Sequence, residues 1–177
     1  MTPARIAVVV PAHNEEALLP ACLRSVLAAT TPVPVEVVVV ADACTDDTAA
    51  LASAAGATVI TLAARNVGRA RAAGMEHALR SGADGLWLAT TDADSRVPAN
   101  WLRRHLVLAG SGADLVAVHW RWPVAEHFRP GDAVHAALAA RPGLTRLSRL
   151  EEDDFLLEVF TRVPPLARSV AQRENLA

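Results

Sequence analysis

Thr90-Thr91-Asp92-Ala93-Asp94-Ser95 sets two carboxylates one residue apart, directly after the apolar run Gly85-Leu86-Trp87-Leu88-Ala89. Like charges this close repel unless water or a cation screens them, and carboxylate oxygens suit hard divalent ions that also hold phosphates. The chemistry the pair suggests is a metal-diphosphate site. The preceding run reads as a buried strand, and ligands of α/β sheets bind at the carboxyl ends of the strands.

The elements that must position this pair alternate regularly. Residues 6–10, 35–40, 58–62, 85–89 and 114–118 are short apolar runs, most of them rich in β-branched residues, as expected of strands buried on both faces of a parallel sheet. Between them, Leu18, Cys22 and Val26, with Leu19 and Leu23 beside them, form an apolar stripe along a helix over about 15–29. Asp46 and Asp47 begin a second helix, where acidic side chains favour the amino-terminal end of the dipole. Residues 69–80 read as a third helix ending at Ser81-Gly82, and Pro98 opens a fourth that carries Trp101, His105 and Leu108. This rhythm implies an α/β sandwich with right-handed connections.

After Trp120 the pattern weakens. Breaks at Pro123, Pro130-Gly131 and Pro142-Gly143 flank a short alanine-rich helix expected over 132–140, and 151–162 reads as a helix with Phe155, Leu156, Val159 and Phe160 on one side. The expected organisation is a core over 1–120 and a segment over 121–177 that is not a separate domain.

Composition narrows the function. The chain has 177 residues, 52% of them hydrophobic with many alanines, which is enough for a single core packed by small side chains. A formal charge of -2 gives no electrostatic case for binding nucleic acid. No run approaches the roughly 20 apolar residues that cross a bilayer. Cys22 and Cys44 lie outside any CxxC or metal-finger spacing. A reduced cytoplasmic protein is expected, with room for peripheral contact at the inner face of the membrane. A dinucleotide fold would need GxGxxG after the first strand, where Pro11-Ala12-His13-Asn14-Glu15-Glu16 stands instead, and there is no Walker loop.

Four segments, each at the carboxyl end of an expected strand, then align with a family. They are Pro11-Ala12-His13-Asn14-Glu15-Glu16, Ala41-Asp42-Ala43-Cys44-Thr45-Asp46-Asp47-Thr48, Asn66-Val67-Gly68 leading to Arg71, and Thr91-Asp92-Ala93-Asp94. Together, over 1–120, the chain resembles the family 2 glycosyltransferases of the GT-A fold, a three-layer α/β/α sandwich with a mostly parallel central sheet. The resemblance implies an enzyme that transfers a sugar from a nucleotide-diphosphate donor, most simply a UDP-sugar, with inversion. Pro11, Ala12, Asn14 and Glu15 would then line the nucleotide pocket, and Asp42 would accept a hydrogen bond from the base. Gly68 and Arg71 would stand near the diphosphate. Asp92 would reach the ribose or a metal-bound water, and Asp94 would ligate the Mg2+ or Mn2+ ion, with Asp92 as a second candidate metal ligand.

The chain departs from the family in two places. Ala41 precedes Asp42 where the family often has a second acid, and the family's glycine- and aromatic-rich acceptor segment has no counterpart. Glu152 and Asp153, in the acidic run Glu151-Glu152-Asp153-Asp154, stand where the resemblance would put a general base, although the run also reads as the acidic start of a helix. A relative that binds nucleotide without transferring sugar is the alternative. The acceptor, whether lipid, glycan or small metabolite, is not specified. Asp46 and Asp47 read as helix-starting charges, Arg69 as a solvated helix residue, His13 as part of the pocket turn without a catalytic role, and His77, His105, His119, His127 and His135, which lack mutual metal spacing, as surface or core residues.

Overall fold

The computed structural model describes residues 3–113, 115–120, 144–152 and 155–162. They fall into two compact units, 1–106 and 107–177.

The first unit is built on β1 (Arg5–Ala12), β2 (Val35–Asp42), β3 (Thr58–Leu62) and β4 (Leu86–Thr90), all parallel, in the spatial order β3-β2-β1-β4. The order reverses between β1 and β4, which makes a crevice at their carboxyl ends the expected place for a ligand. Alternation of side chains along a strand sends Ile6, Val8 and Val10 to one face and Val9 to the other. The first face is covered by α1 (Leu19–Ala28) through Leu19, Cys22, Leu23 and Val26. It is also covered by α2 (Thr48–Ala54) through Ala52, and by α4 (Trp101–Gly110) through Trp101, Leu102 and Leu106. The opposite face takes α3 (Val67–Leu79) through Ala70, with Met75 beside it. The three-layer α/β/α arrangement expected from the sequence is present.

Packing on the α3 side depends on small residues. A Cβ added at Gly74 would collide with the Val9 side chain and come within 3.1 Å of Val40 Cγ2, so only a glycine lets the helix lie this close to β1 and β2. Helix boundaries differ from the periodicity by a few residues. α1 begins at Leu19 rather than near Glu15, because Glu15 to Leu18 form a turn closed by Leu19 N to Glu15 O at 2.8 Å, and Pro20 then stands in the first helical turn. α3 begins two residues earlier than expected because Asn66 caps it, its side chain accepting from Arg69 N at 2.9 Å.

In the second unit, β5 (Leu115–Trp120), β6 (Leu144–Glu152) and β7 (Phe155–Arg162) form an antiparallel sheet in the order β5-β7-β6. Two expectations are corrected here. The fifth run does form a strand, but it pairs with β7 rather than continuing the parallel sheet. Residues 155–162, expected in a helix, form the central strand of the sheet. A short apolar run fits period 2 and period 3.6 alike. β-Branched and aromatic residues such as Val159, Phe160 and Thr161 favour the strand once ladders are available on both sides. The helix expected over 132–140 lies outside the described residues.

Candidate functional site

Four loops at the carboxyl edge of the parallel sheet enclose a cleft of about 730 Å³, within the size range of small-molecule sites. Pro11 to Glu15 come from the loop after β1, Asp42, Ala43 and Thr45 from the end of β2 and its loop, and Arg65 to Val67 from the entry to α3. Ala70 and Arg71 come from α3 itself, and Asp92 to Asp94 from the loop after β4. The sequence-derived residues Pro11, Ala12, Asn14, Glu15, Asp42, Arg71, Asp92 and Asp94 are therefore brought together. Gly68 is not in the lining. It sits in the first turn of α3, where a Cβ would stand 3.2 Å from the capping oxygen of Asn66. Glu152 ends β6 in the second unit, and Asp153 lies outside the described residues.

Asp42 is only 3% exposed and acts as a hub. Its Oδ1 accepts the backbone N–H groups of Ala64 at 2.6 Å and Arg65 at 2.9 Å, and its Oδ2 accepts that of Asn66 at 2.7 Å. Burial opposes the charge, but these three amides prevail and hold the carboxyl below its ordinary range. A carboxylate offers about four lone-pair sites, so roughly one remains for a ligand.

The loops after β1 and β2 are laced together. Asn14 Oδ1 accepts Thr45 N at 2.8 Å, Glu15 N donates to Thr48 Oγ1 at 2.8 Å, Glu16 N donates to Asp46 Oδ2 at 3.1 Å, and Asp47 N donates to Glu16 Oε2 at 3.2 Å. Thr48 is fully buried, and its hydroxyl donates a hydrogen bond to Asp46 Oδ1. That hydroxyl is the main reason the Asp46 carboxyl is lowered. Asp46 thus starts α2, as the sequence suggests, and fastens the neighbouring loop as well. Among the described residues, the non-glycine positions with positive φ are Asn14 (54°), Ala43 (54°) and Arg65 (46°), and all three line the cleft. Such backbone persists only where the surroundings over-determine it, here through the hydrogen bonds just described.

The Asp92–Asp94 side is held differently. Its backbone is tied down by Ser95 N to Asp92 O at 3.1 Å, by Cys22 Sγ to Asp92 O at 3.4 Å and by Val97 N to Ser25 Oγ at 3.0 Å. Its carboxylates remain open: Arg71 Nη2 pairs with Asp92 Oδ1, with side-chain exposures of 33% and 58%, and Asp94 receives Ser95 Oγ at 3.4 Å. The negative field registers on neighbours. Burial first, then Asp94, raise both the Glu15 carboxyl and the Cys22 thiol, the latter to about 11.

This donor set fits a hard divalent ion. No three or more His, Cys, Asp or Glu among the described residues are grouped to form a protein cage. Mg2+-type sites, however, commonly use one or two carboxylates and complete the shell with phosphate and water, and Asp94 and Asp92 supply such a pair.

His105 lies apart from the cleft, in the core under α4. It is 7% exposed and stacks edge-on against Trp87 and Trp101. Its Nδ1 accepts Trp87 Nε1 at 2.9 Å, while its Nε2 is buried without a partner. Burial lowers its pKa to about 4. This is one of the core positions expected for the histidines.

A parallel α/β sheet with helices on both faces and a cleft at its carboxyl edge places the chain in the α/β class whose ligands bind at the topological switch point. The chain belongs to glycosyl transferase family 2, whose model matches residues 7–157. Among solved structures it is similar to S. aureus TarS 1-349 in complex with UDP, at 22% identity and TM-score 0.58, covering 71% of this chain and 38% of that one. The same TarS fragment in complex with UDP-GlcNAc matches at 21% identity and TM-score 0.54, covering 71% and 37%. M. tuberculosis glucosyl-3-phosphoglycerate synthase, in complex with Mn2+, UDP and glucosyl-3-phosphoglycerate, matches at 19% identity and TM-score 0.48, covering 88% and 57%. The two TarS matches show a shared fold, and the chain spans 38% or less of the TarS structures. No curated protein matches the chain. Among the described residues, no helix is long and apolar enough to cross a membrane.

Proposed function

We propose that the chain binds a nucleotide-diphosphate sugar in this cleft and transfers the sugar to an acceptor hydroxyl with inversion. The observation that carries the reading is the convergence of the four loops, with Asp42, Arg71, Asp92 and Asp94 in one lining. Family membership and the UDP and UDP-GlcNAc complexes of TarS support a uridine nucleotide as donor.

In this reading the nucleoside rests on the loops after β1, β2 and β3. Pro11, Ala12, Asn14 and Glu15 form one wall, and Asp42 holds the opposite one. Arg71 meets the diphosphate. For it to do so the Arg71–Asp92 pair opens, and one ionic partner replaces another at a half-exposed site, where the exchange costs little. Asp94, with Asp92 beside it, would hold Mg2+ or Mn2+, which acts when bound as a Lewis acid on the departing diphosphate. Inversion asks for a base on the acceptor hydroxyl opposite the leaving group, and the reading assigns that role to Glu152 and Asp153.

Calorimetry with UDP and GDP in the presence and absence of chelator tests binding: heat unchanged by chelator or by Asp94→Ala defeats the metal-held donor site. Turnover is read separately, as release of nucleoside diphosphate from a panel of donor sugars. Release that persists in Glu152→Gln and Asp153→Asn removes those residues as the base.

A further inference from the structure

We infer that the helical layer on the α1 side of the parallel sheet is a docking surface for an anionic lipid bilayer. The first observation is what α1 shows to solvent. A helix that packs one stripe on a core normally turns charged and polar residues outward. From Leu18 to the end of α1 the exposed residues are instead Leu18, at 50%, Arg24, Leu27, at 59%, and Ala28, so a single charge stands among apolar side chains. Leu18 and Leu27 lie about 14 Å apart along the axis, at 1.5 Å per residue.

Charge is the second observation. α1, α2 and α4, which cover this face, hold no acidic residue. The acids of the first unit stand in the loops at the carboxyl edge, in the turn before β4 at Asp84, or on the α3 side, where Glu76 lies on the helix and Glu36 meets His77. Arginines mark the acid-free layer. Arg24 on α1, Arg96 on the way into α4 and Arg103 in its first turn are exposed, and among the described residues none of these three side chains is held in a hydrogen bond or ion pair. Val97 N donates to Ser25 Oγ at 3.0 Å, which joins the two segments at the residues next to Arg96 and Arg24. A chain of net charge -2 thus gathers positive potential on one side. α3, across the sheet, shows the ordinary pattern: Arg69, Glu76 and Arg80 are exposed with both signs mixed, and Arg80 and Glu36 are both engaged with His77.

The combination selects its partner. At a bilayer interface leucines enter the acyl boundary while guanidinium groups meet lipid phosphates, so both halves of the surface are satisfied at once. An acidic protein would neutralise the arginines and leave Leu18 and Leu27 against polar groups. A second copy of the same face would set arginine against arginine about the two-fold axis.

The test is co-sedimentation of the full chain with vesicles of phosphatidylcholine alone or with phosphatidylglycerol added, at low and at physiological salt. Binding is expected on the order of a hundredfold tighter to the anionic vesicles, and Arg24→Gln, Arg96→Gln and Arg103→Gln should each weaken it about fivefold. Leu27→Gln should remove the part of the binding that survives physiological salt. Arg69→Gln makes the same charge change on the opposite face and should leave vesicle binding unaltered. Thermal melts of these variants should match the parent, since every side chain changed is exposed. Equal binding to both vesicles, binding to neither, or an equal loss in Arg69→Gln overturns the inference. Polyglutamate bound as tightly as the vesicles, with Leu27→Gln silent, would give the face to an acidic protein, and a dimer in sedimentation velocity that Leu27→Gln dissociates would give it to a second copy; either overturns the bilayer. Nucleotide calorimetry reads the cleft independently of all these outcomes.

Discussion

The two sides of the cleft are built on opposite plans. On the side proposed for the nucleoside, Asp42, Asn14, Glu16, Asp46 and Thr48 spend their polar atoms on backbone N–H groups of the surrounding loops, and three residues hold positive φ. On the phosphate side, the backbone is fastened but Asp92 and Asp94 stay exposed, joined to the rest through one half-exposed ion pair and one long hydroxyl contact. In the proposed donor site the difference would separate two tasks. A flat, neutral base is best met by a surface that does not move, whereas a diphosphate with its cation can be met by charges that change partners.

If that contrast is right, removing Asp42 should do more damage than any change on the phosphate side. Asp42→Ala leaves the amides of Ala64, Arg65 and Asn66 without their acceptor and frees the entry to α3. The expected outcome is the largest drop in melting temperature of the substitutions considered, with loss of nucleotide binding, both read on the same sample. A variant that melts like the parent would erase the distinction between the two sides.

Acid separates the cleft from the core beneath it. His105 titrates at 6.5 when unfolded and at about 4 when folded, so its unfolded form binds the extra proton between those values. Stability is then intact above 6.5 and falls by up to about 3 kcal/mol as pH drops toward 4. Asp42 and Asp46 also lose their contribution on acidification, but in a lower window. Their carboxyls are lowered from 3.8, so their contribution persists until pH falls below that value. Denaturant titrations from pH 7 to 3 should show the His105 loss first, and His105→Leu should flatten that first limb alone.

Thr48→Val keeps the shape and removes the hydroxyl that receives Glu15 N and donates to Asp46. With the N–H of half-buried Glu15 left without its acceptor, a loss of about 1 kcal/mol is expected from chemical denaturation. The smallest effect belongs to Arg71→Ala. At its exposure the pair with Asp92 contributes less than about 1 kcal/mol to stability, yet nucleotide affinity measured by calorimetry should fall. A large stability loss here would show that the phosphate side, too, is structural.

Much of this was readable in the residues. The four parallel strands announced themselves as short apolar runs, and the acids that share the cleft lay at or just after strand ends, with the arginine in the helix after β3. Partnership was not readable. Nothing in Ala43 or Arg65 signals a positive φ, which is imposed by bonds to residues far along the chain. The structural partners of Asp42 were hidden because the amides it accepts belong to a loop 22 to 24 positions away. Thr45, Asn66 and Val67 lay inside the quoted segments without being singled out, while Arg65 preceded its segment by one residue. The strand at Phe155–Arg162 was mistaken for a helix because its partners, not its own pattern, choose its period.

One consequence follows from the register of the parallel sheet. Thr90, the last residue of β4, pairs with Val9, whereas β1 runs on to Ala12, so β4 leaves the sheet roughly 10 Å early at the usual rise per residue. Val9 turns its carbonyl toward β4, receiving Thr91 N at 3.3 Å, and a residue two positions on turns the same way. That residue is Pro11. A proline here sacrifices no ladder bond, because the neighbouring strand has already ended, and it offers no donor with which a foreign strand could extend β4 along the step. The recess that admits a ligand is thereby closed to strand-by-strand association.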